Sequence, residues 1–300
     1  MADLGGSTVG GELVALSSSH EMVRWKPGQV GPEDAAPVVQ SQEFTSEVVA
    51  VEAVMGDSVL ITSTAPGAIV KQLQAGRFFD ILCRVDGSYD PLLRRPYSVL
   101  RINPGENTLT FLVRPYGRGS SWLAAQRPGT MLNLLGPLGN TYEISPTSRH
   151  LLMVAGGVGV APLVMLTDEA TRRGLSSVLL MGSADASGLL VPAYLASTVE
   201  FVAATEDGSM GHHGFVTDIV GDYVRWADQI FACGPEPMYR ALRAAVTPLR
   251  IGGRPSVQVS MERSMACGVG ACLGCVVETR HGMRASCVEG PVYDLEEVLL

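Results

Sequence analysis

The chain has 300 residues, 46% apolar and 17% charged, with a formal net charge of −8. This excludes a wholly disordered chain and predicts about two ordinary domains; with no basic stripe to neutralise phosphates, it also argues against nucleic-acid binding. The longest uncharged run, Leu151–Thr167, falls short of the roughly 20 residues of a spanning helix and is broken by Gly156, Gly157 and Gly159, so no membrane span is predicted.

Residues 1–42 are rich in Gly, Ser, Pro and Ala, show no sustained period, and read as a poorly ordered tail. They open Met1-Ala2-Asp3-Leu4, with neither the basic nor the apolar region of a secretory signal, so a cytoplasmic chain is expected. Residues 43–145 alternate short β runs with turn signals. Examples are Phe44–Val51, Ser58–Ser63, Phe78–Arg84, Tyr97–Asn103 and Thr108–Val113; Pro66-Gly67, Pro104-Gly105 and Pro128-Gly129 punctuate them. That spacing predicts a small antiparallel β-barrel. Over residues 146–252 the texture changes. Leu151–Val154, Ser177–Met181, Thr198–Ala203 and Gln229–Ala232 read as strands, with helices over Pro162–Arg173, Val216–Val224 and Glu236–Val246. Strands alternating with helices predict a parallel-sheet α/β domain. Residues 253–300 form a last, small unit: a strand, Ser256–Ser260, leading into a Cys-rich segment.

That segment carries the sharpest signal. Cys267, Cys272 and Cys275 stand in C-x4-C-x2-C spacing, and Cys287 follows after eleven residues. This is the plant-type [2Fe–2S] pattern. Gly268, Gly270, Ala271 and Gly274 are small enough to let backbone N–H groups approach the sulfurs. A structural zinc site is the alternative, but zinc sites pair two short ligand units, and the gap before Cys287 is not such a unit. Cys83, in a barrel strand, reads as a small buried hydrophobe.

Two further motifs suit nucleotide cofactors. Arg95-Pro96-Tyr97-Ser98 offers a guanidinium fork for a pyrophosphate, a stiff approach, a ring face and a hydroxyl for a flavin. Leu112-Val113-Arg114 and a small-residue turn, Gly117-Arg118-Gly119-Ser120-Ser121, follow and open a helical stretch, Trp122–Gln126; such a turn suits an anion, or is an ordinary glycine turn. In Gly156-Gly157-Val158-Gly159-Val160-Ala161-Pro162, an apolar strand runs into a G-x-G-x-x-P turn with Pro162 at the first helical position. Cys233-Gly234-Pro235 ends a later strand at the edge where open α/β sheets bind ligands, so Cys233 is a candidate to line a nicotinamide. Ser183–Ser187 holds no Arg or Lys for a 2′-phosphate, which favours NAD(H) over NADP(H). His212 and His213 lack a third ligand at a sensible spacing and read as a polar loop.

The order of these motifs resembles the ferredoxin-reductase superfamily of flavin and nicotinamide domains. More closely, it is similar to the electron transfer subunits of dihydroorotate dehydrogenase B, over about residues 43–295. The resemblance implies FAD contacts at Arg95, Pro96, Tyr97, Ser98, Leu112, Val113, Arg114, Gly119 and Ser120. It implies cluster ligands at Cys267, Cys272, Cys275 and Cys287; the two turns themselves point to nicotinamide contacts at Gly157, Gly159, Pro162, Cys233, Gly234 and Pro235. It further implies a partner FMN-containing catalytic dihydroorotate dehydrogenase subunit in a heterotetramer of two plus two, with electrons passing through [2Fe–2S] and FAD to NAD+ in pyrimidine biosynthesis. Subunits with the same cofactors also resemble this chain in hydrogenases, sulfide dehydrogenases and ferredoxin:NADP oxidoreductases. Two features depart from the family pattern: the tail is longer, and Val113 stands where a larger side chain is expected.

Overall fold

The computed structural model describes residues 41–300 except Asp86, Ile251 and Arg254. The tail reading for residues 1–42 lies almost wholly outside the described residues.

The first half closes into an antiparallel barrel. Its elements are β1 (Gln42–Ala53), β2 (Val59–Thr64), the short helix α1 (Gly67–Gln72), β3 (Phe78–Ile81), β4 (Arg95–Asn103), β5 (Thr108–Val113), the helix α2 (Arg118–Ala124) and β6 (Met131–Leu138). The six strands run in the order β1-β2-β5-β4-β3-β6. Alternation along each strand decides what faces inward. On β3, Phe79 and Ile81 enter the barrel core, where Phe79 meets Phe44 and Phe111 edge-on at 6.0 and 5.9 Å. Phe78 and Asp80 take the other face. Strand β6 is not among the runs named from the sequence. A Cβ on its Gly136 would sit 2.3 Å from the Phe79 ring, so only glycine lets β6 pass.

The second half is a seven-stranded sheet with helices on both faces. Its elements are β7 (His150–Gly156), α3 (Val160–Arg172), β8 (Ser176–Ser183), β9 (Val199–Thr205), β10 (His212–His213), β11 (Gln229–Cys233), α4 (Glu236–Val246) and β12 (Ser256–Ser260). Then follow β13 (Val276–Thr279), β14 (Gly282–Ala285), α5 (Ser286–Glu289) and β15 (Val292–Asp294). The sheet order is β10-β9-β8-β7-β11-β12-β15, parallel except for β15, which runs against β12. Strand β7 is buried along Leu151–Ala155, as a central parallel strand requires. Two details differ from the sequence expectation. Val216–Val224 is not one helix but two short 3-10 turns, Val216–Asp218 and Val220–Asp222, with Ile219 between them. Pro162 is the third helical residue rather than the first; it is still in the first turn, where a missing N–H forfeits no helix bond.

Barrel and sheet share one apolar core. Helix α3 contributes Leu163, Val164 and Leu166 to the cluster that holds Val99 and Phe111 of the barrel. Tyr142 bridges them, donating its hydroxyl to the Ala232 carbonyl at 3.0 Å. The Cys-rich segment leaves the sheet after β12 and returns to it as β15. On the way it packs Met265, Cys275, Ala285 and Cys287 against Phe78 and Leu138 of the barrel's outer face. Asn140 fastens this return, donating to the carbonyls of Glu289 and Val292 and accepting from Val292 N–H at 2.9 Å.

Candidate functional site

Three stretches of sequence that are far apart in the chain meet at one cavity of about 430 Å³. The barrel supplies Pro96, Tyr97 and Ser98 at the start of β4. The sheet supplies Gly159, Pro162 and Cys233 at the carboxyl ends of β7 and β11. The Cys-rich segment supplies Met265 and Pro291. Leu112 and Arg114 complete the barrel side. Val113 does not reach it: it alternates inward and is fully buried in the barrel core. Arg95 lies beside the α2 turn. An added Cβ at Gly119 would be 3.4 Å from Arg95 atoms, so guanidinium and turn are adjacent. Arg95 currently donates to the carbonyls of Leu93 and Arg94 at 2.8 and 3.0 Å. The Ser120 hydroxyl accepts from the N–H groups of Tyr116 and Gly117, tying down its own turn.

A larger cavity of about 810 Å³ opens beside the first along the carboxyl edge of the sheet. Gly156, Gly157 and Pro235 line it, and Arg114, Val158 and Glu262 border both cavities. Open α/β sheets bind ligands at this edge. Here the glycines are a steric necessity: a Cβ on Gly159 would lie 2.2 Å from the Cys233 carbonyl oxygen, and one on Gly156 2.8 Å from the Pro235 ring. The β7 turn and the Cys233-Gly234-Pro235 turn can close on each other only without side chains. Gly234 is further pinned by donating its N–H to the Tyr239 hydroxyl at 3.0 Å. The Cys233 thiol is buried and its pKa is pushed far above the ordinary value by that burial, so it lines the smaller cavity as a neutral group. The larger cavity is acidic. Asp57, Asp185, Glu206 and Glu262 line it, and the cation Arg114 is already 3.8 Å from Asp57. Asp185 is held below the usual carboxylate range by the Ser187 hydroxyl and N–H, so it is charged throughout the neutral range. Sequence reasoning noted only the missing cations here; the positions of Asp57 and Glu262 depend on the barrel and the β12 exit meeting the sheet edge.

Among the described residues no three His, Cys, Asp or Glu side chains are drawn into a closed chelate. All four motif cysteines are nevertheless free: Cys267, Cys272 and Cys275 lie on one loop, and Cys287, on α5, stands beside it. Gly270 N–H points at Cys287 Sγ at 3.2 Å, Cys287 N–H at Cys275 Sγ at 3.4 Å, Gly274 N–H at Cys272 Sγ at 3.4 Å and Val269 N–H at Cys267 Sγ at 3.5 Å. The N–H groups of Val269 and Cys272 hold the Cys267 thiol down to about 7. Burial, with the Cys275 thiol beside it, pushes Cys287 up to about 12, a crowding that a bound metal relieves. Gly268 and Gly270 adopt left-handed backbone, φ +70° and +77°, which lets the loop turn its N–H groups inward. Four thiols with N–H donors on their sulfurs fit an iron–sulfur cluster. The Pro96–Ser98 wall beside an Arg fits a flavin. The acidic, glycine-edged cleft fits an unphosphorylated nicotinamide dinucleotide.

The comparisons with known proteins agree. Residues 262–299 match the iron-sulfur cluster binding domain of dihydroorotate dehydrogenase B. The electron transfer subunit of dihydroorotate dehydrogenase B (NAD(+)) from Bacillus caldolyticus is 37% identical over 243 residues, 79% of this chain and 91% of that one. The subunit of the same name from Desulforamulus reducens is 32% identical over 266 residues, 86% of this chain and 99% of that one. Among solved structures, the NADH-dependent reduced ferredoxin-NADP oxidoreductase described for flavin-based electron bifurcation superposes with a TM-score of 0.74 at 26% identity, covering 85% of this chain and 89% of that one. A ferredoxin reductase in carbazole 1,9a-dioxygenase shares the fold, with a TM-score of 0.60 at 23% identity over 71% of this chain and 67% of that one.

Proposed function

The chain belongs to the family of electron transfer subunits of dihydroorotate dehydrogenase B, and from that membership we propose that it passes electrons from a dihydroorotate-oxidising partner subunit to NAD+. It is an iron–sulfur flavoprotein oxidoreductase that uses FAD, a [2Fe–2S] cluster and NAD, with a catalytic subunit as its partner. We further propose the cytoplasm as its compartment and two plus two as its assembly; no helix among the described residues is long and apolar enough to cross a membrane.

One observation carries the reading. The flavin-type wall, the nicotinamide-type turns and the cysteine segment border a single cavity, and Phe78 and Met265 line it while packing on Cys275 and Cys287. Bound FAD supplies the conversion between a hydride from or to nicotinamide and single electrons at the cluster. The protein's own part is to bind and orient. Arg95 offers a fork to the pyrophosphate, Tyr97 a ring face and Ser98 a hydroxyl at the flavin. Gly157, Gly159 and Pro162 open the sheet edge to the dinucleotide, with Gly234 and Pro235 as its opposite lip. Neutral Cys233 lines the smaller cavity at the end of β11. Cys267, Cys272, Cys275 and Cys287 hold the cluster, and the loop N–H groups stabilise its added charge.

The test is dihydroorotate-dependent reduction of NAD+ by the complex isolated anaerobically through this chain. Activity that vanishes when the cluster is removed is the expected result. A yellow-brown complex that oxidises NADH with artificial acceptors but ignores dihydroorotate would assign the chain a different partner.

A further inference from the structure

Asp80 is a buried carboxyl that nothing above explains. It is fully buried on β3, and neither carboxyl oxygen has a hydrogen-bond partner. An unpaired carboxyl in such a place is costly and calls for a reason. Alternation places it with Phe78 on the outer face of the barrel, against the Cys-rich segment. The cations near it are committed elsewhere. Arg94 donates to the backbone carbonyls of Asp80 and Asn133 at 3.3 and 3.2 Å and to Glu43 Oε1 at 3.0 Å. Arg95 is turned onto the carbonyls of Leu93 and Arg94. The thiol of Cys83, the other titratable neighbour, is pushed up to about 12 by burial and stays neutral.

What Oδ2 of Asp80 faces is the cluster loop. A Cβ on Gly268 would lie 2.7 Å from it, with Leu138 at 2.9 Å and Leu135 at 3.5 Å from the same point. Gly268 follows Cys267 directly, and its φ of +70° turns the loop backbone onto the carboxyl. The other two atoms nearest this point, from Leu135 and Leu138 of β6, are apolar.

We propose that Asp80 is a positioning residue for electron transfer: its carboxylate, held without a partner behind the loop that wraps the cluster, lowers the reduction potential of the cluster. Burial pushes the Asp80 carboxyl up to about 6, so above that pH it is mostly charged; an electron entering the cluster adds negative charge, which the buried carboxylate opposes. A cluster held low gives its electron up readily, which onward transfer to a nicotinamide requires. The inference rests on the reading of Cys267, Cys272, Cys275 and Cys287 as cluster ligands.

The experiment is a redox titration of the cluster in the full chain with its partner, followed by electron paramagnetic resonance. Iron and sulfide content of the unsubstituted chain is read first; their absence would overturn the ligand reading itself. With the cluster present, Asp80→Asn is expected to raise the reduced-to-oxidised ratio at a given ambient potential about tenfold, an upward shift of about 59 mV for one electron. FAD absorbance is expected to stay unchanged. An unchanged or lowered potential in Asp80→Asn with iron retained overturns the proposal. If Asp80→Asn loses its cluster, the unsubstituted chain decides: a potential that rises as the pH falls through about 6, where Asp80 takes up a proton, supports the role, and a potential that does not move overturns it.

Discussion

At the scale of single residues, charge state decides more than identity. From sequence Cys233, at the carboxyl edge of a strand, is a candidate to line a nicotinamide. Its burial makes it a spacer. Cys233→Ala is expected to slow reduction of FAD by NADH on the order of tenfold by loosening the nicotinamide's approach, with FAD still bound. The unsubstituted chain should show no thiol titration in that rate between about pH 6 and 9, because a buried thiol stays protonated there. Stopped-flow absorbance across that range reads both; an inflection lost in Cys233→Ala would mean the thiol ionises after all. Asp185 acts the other way, through a charge that is always present. Beside Asp57, Glu206 and Glu262, it presents a negative wall where a 2′-phosphate would add more negative charge. Asp185→Ser is expected to narrow the preference for NADH over NADPH by about tenfold, measured as the ratio of kcat/KM values. An unchanged ratio would move the discrimination to Glu206 or to the backbone.

At the scale of elements, close approaches between turns build the site. The 2.2 Å that would separate a Gly159 Cβ from the Cys233 carbonyl leaves no room for any side chain. Gly159→Ala must push the α3 turn off the β11 turn. The KM for NADH is then expected to rise at least tenfold while the flavin spectrum, set on the barrel side, keeps its shape. Much of this was legible in the sequence. The C-x4-C-x2-C spacing, the Arg95–Ser98 motif and the strand-then-glycine turn at Gly156–Pro162 each carry local chemistry that needs no tertiary context. The barrel strands and helix α4 followed from period and punctuation, and α4 spans Glu236–Val246 as expected. What escaped depends on distant partners. Strand β6 passes only because Gly136 leaves room for the Phe79 ring across the barrel. Asp80 reads as an ordinary polar residue in a strand until the cluster loop is laid over it. Strand β15 is three residues long and exists by pairing with β12, which local pattern cannot announce.

At the scale of the whole molecule, the barrel and sheet are locked and the cysteine segment is left facing outward. Arg101 on β4 grips Asp168 on α3 with two bonds, at 2.8 and 3.1 Å, and also donates to the Tyr194 carbonyl. Half-exposed, that pair contributes about 1 kcal/mol at most, so the shared apolar core does the main holding. The Cys-rich segment by contrast exposes Val269, Leu273, Met283 and Val288, each more than half accessible, around an exposed Cys272. Apolar side chains on the segments that carry cluster ligands are the feature a catalytic subunit would cover, since electrons cross only short gaps and an apolar seal excludes water. Leu273→Asp tests this cleanly. Leu273 has a φ of +55°, a conformation Asp tolerates well, so the loop can keep its shape while the face gains a charge. Together with Val288→Asp, it is expected to weaken association with the catalytic subunit at least tenfold, read by analytical ultracentrifugation. NADH oxidation with an artificial acceptor and the iron content should stay as they were. Cys272→Ser should give the complementary result: association kept, NADH reduction of FAD kept, and transfer to the partner lost. If the two Asp substitutions left association untouched while cluster and FAD remained in place, the partner would have to dock on another face, and electrons would have to leave the cluster through a part of the loop other than Cys272.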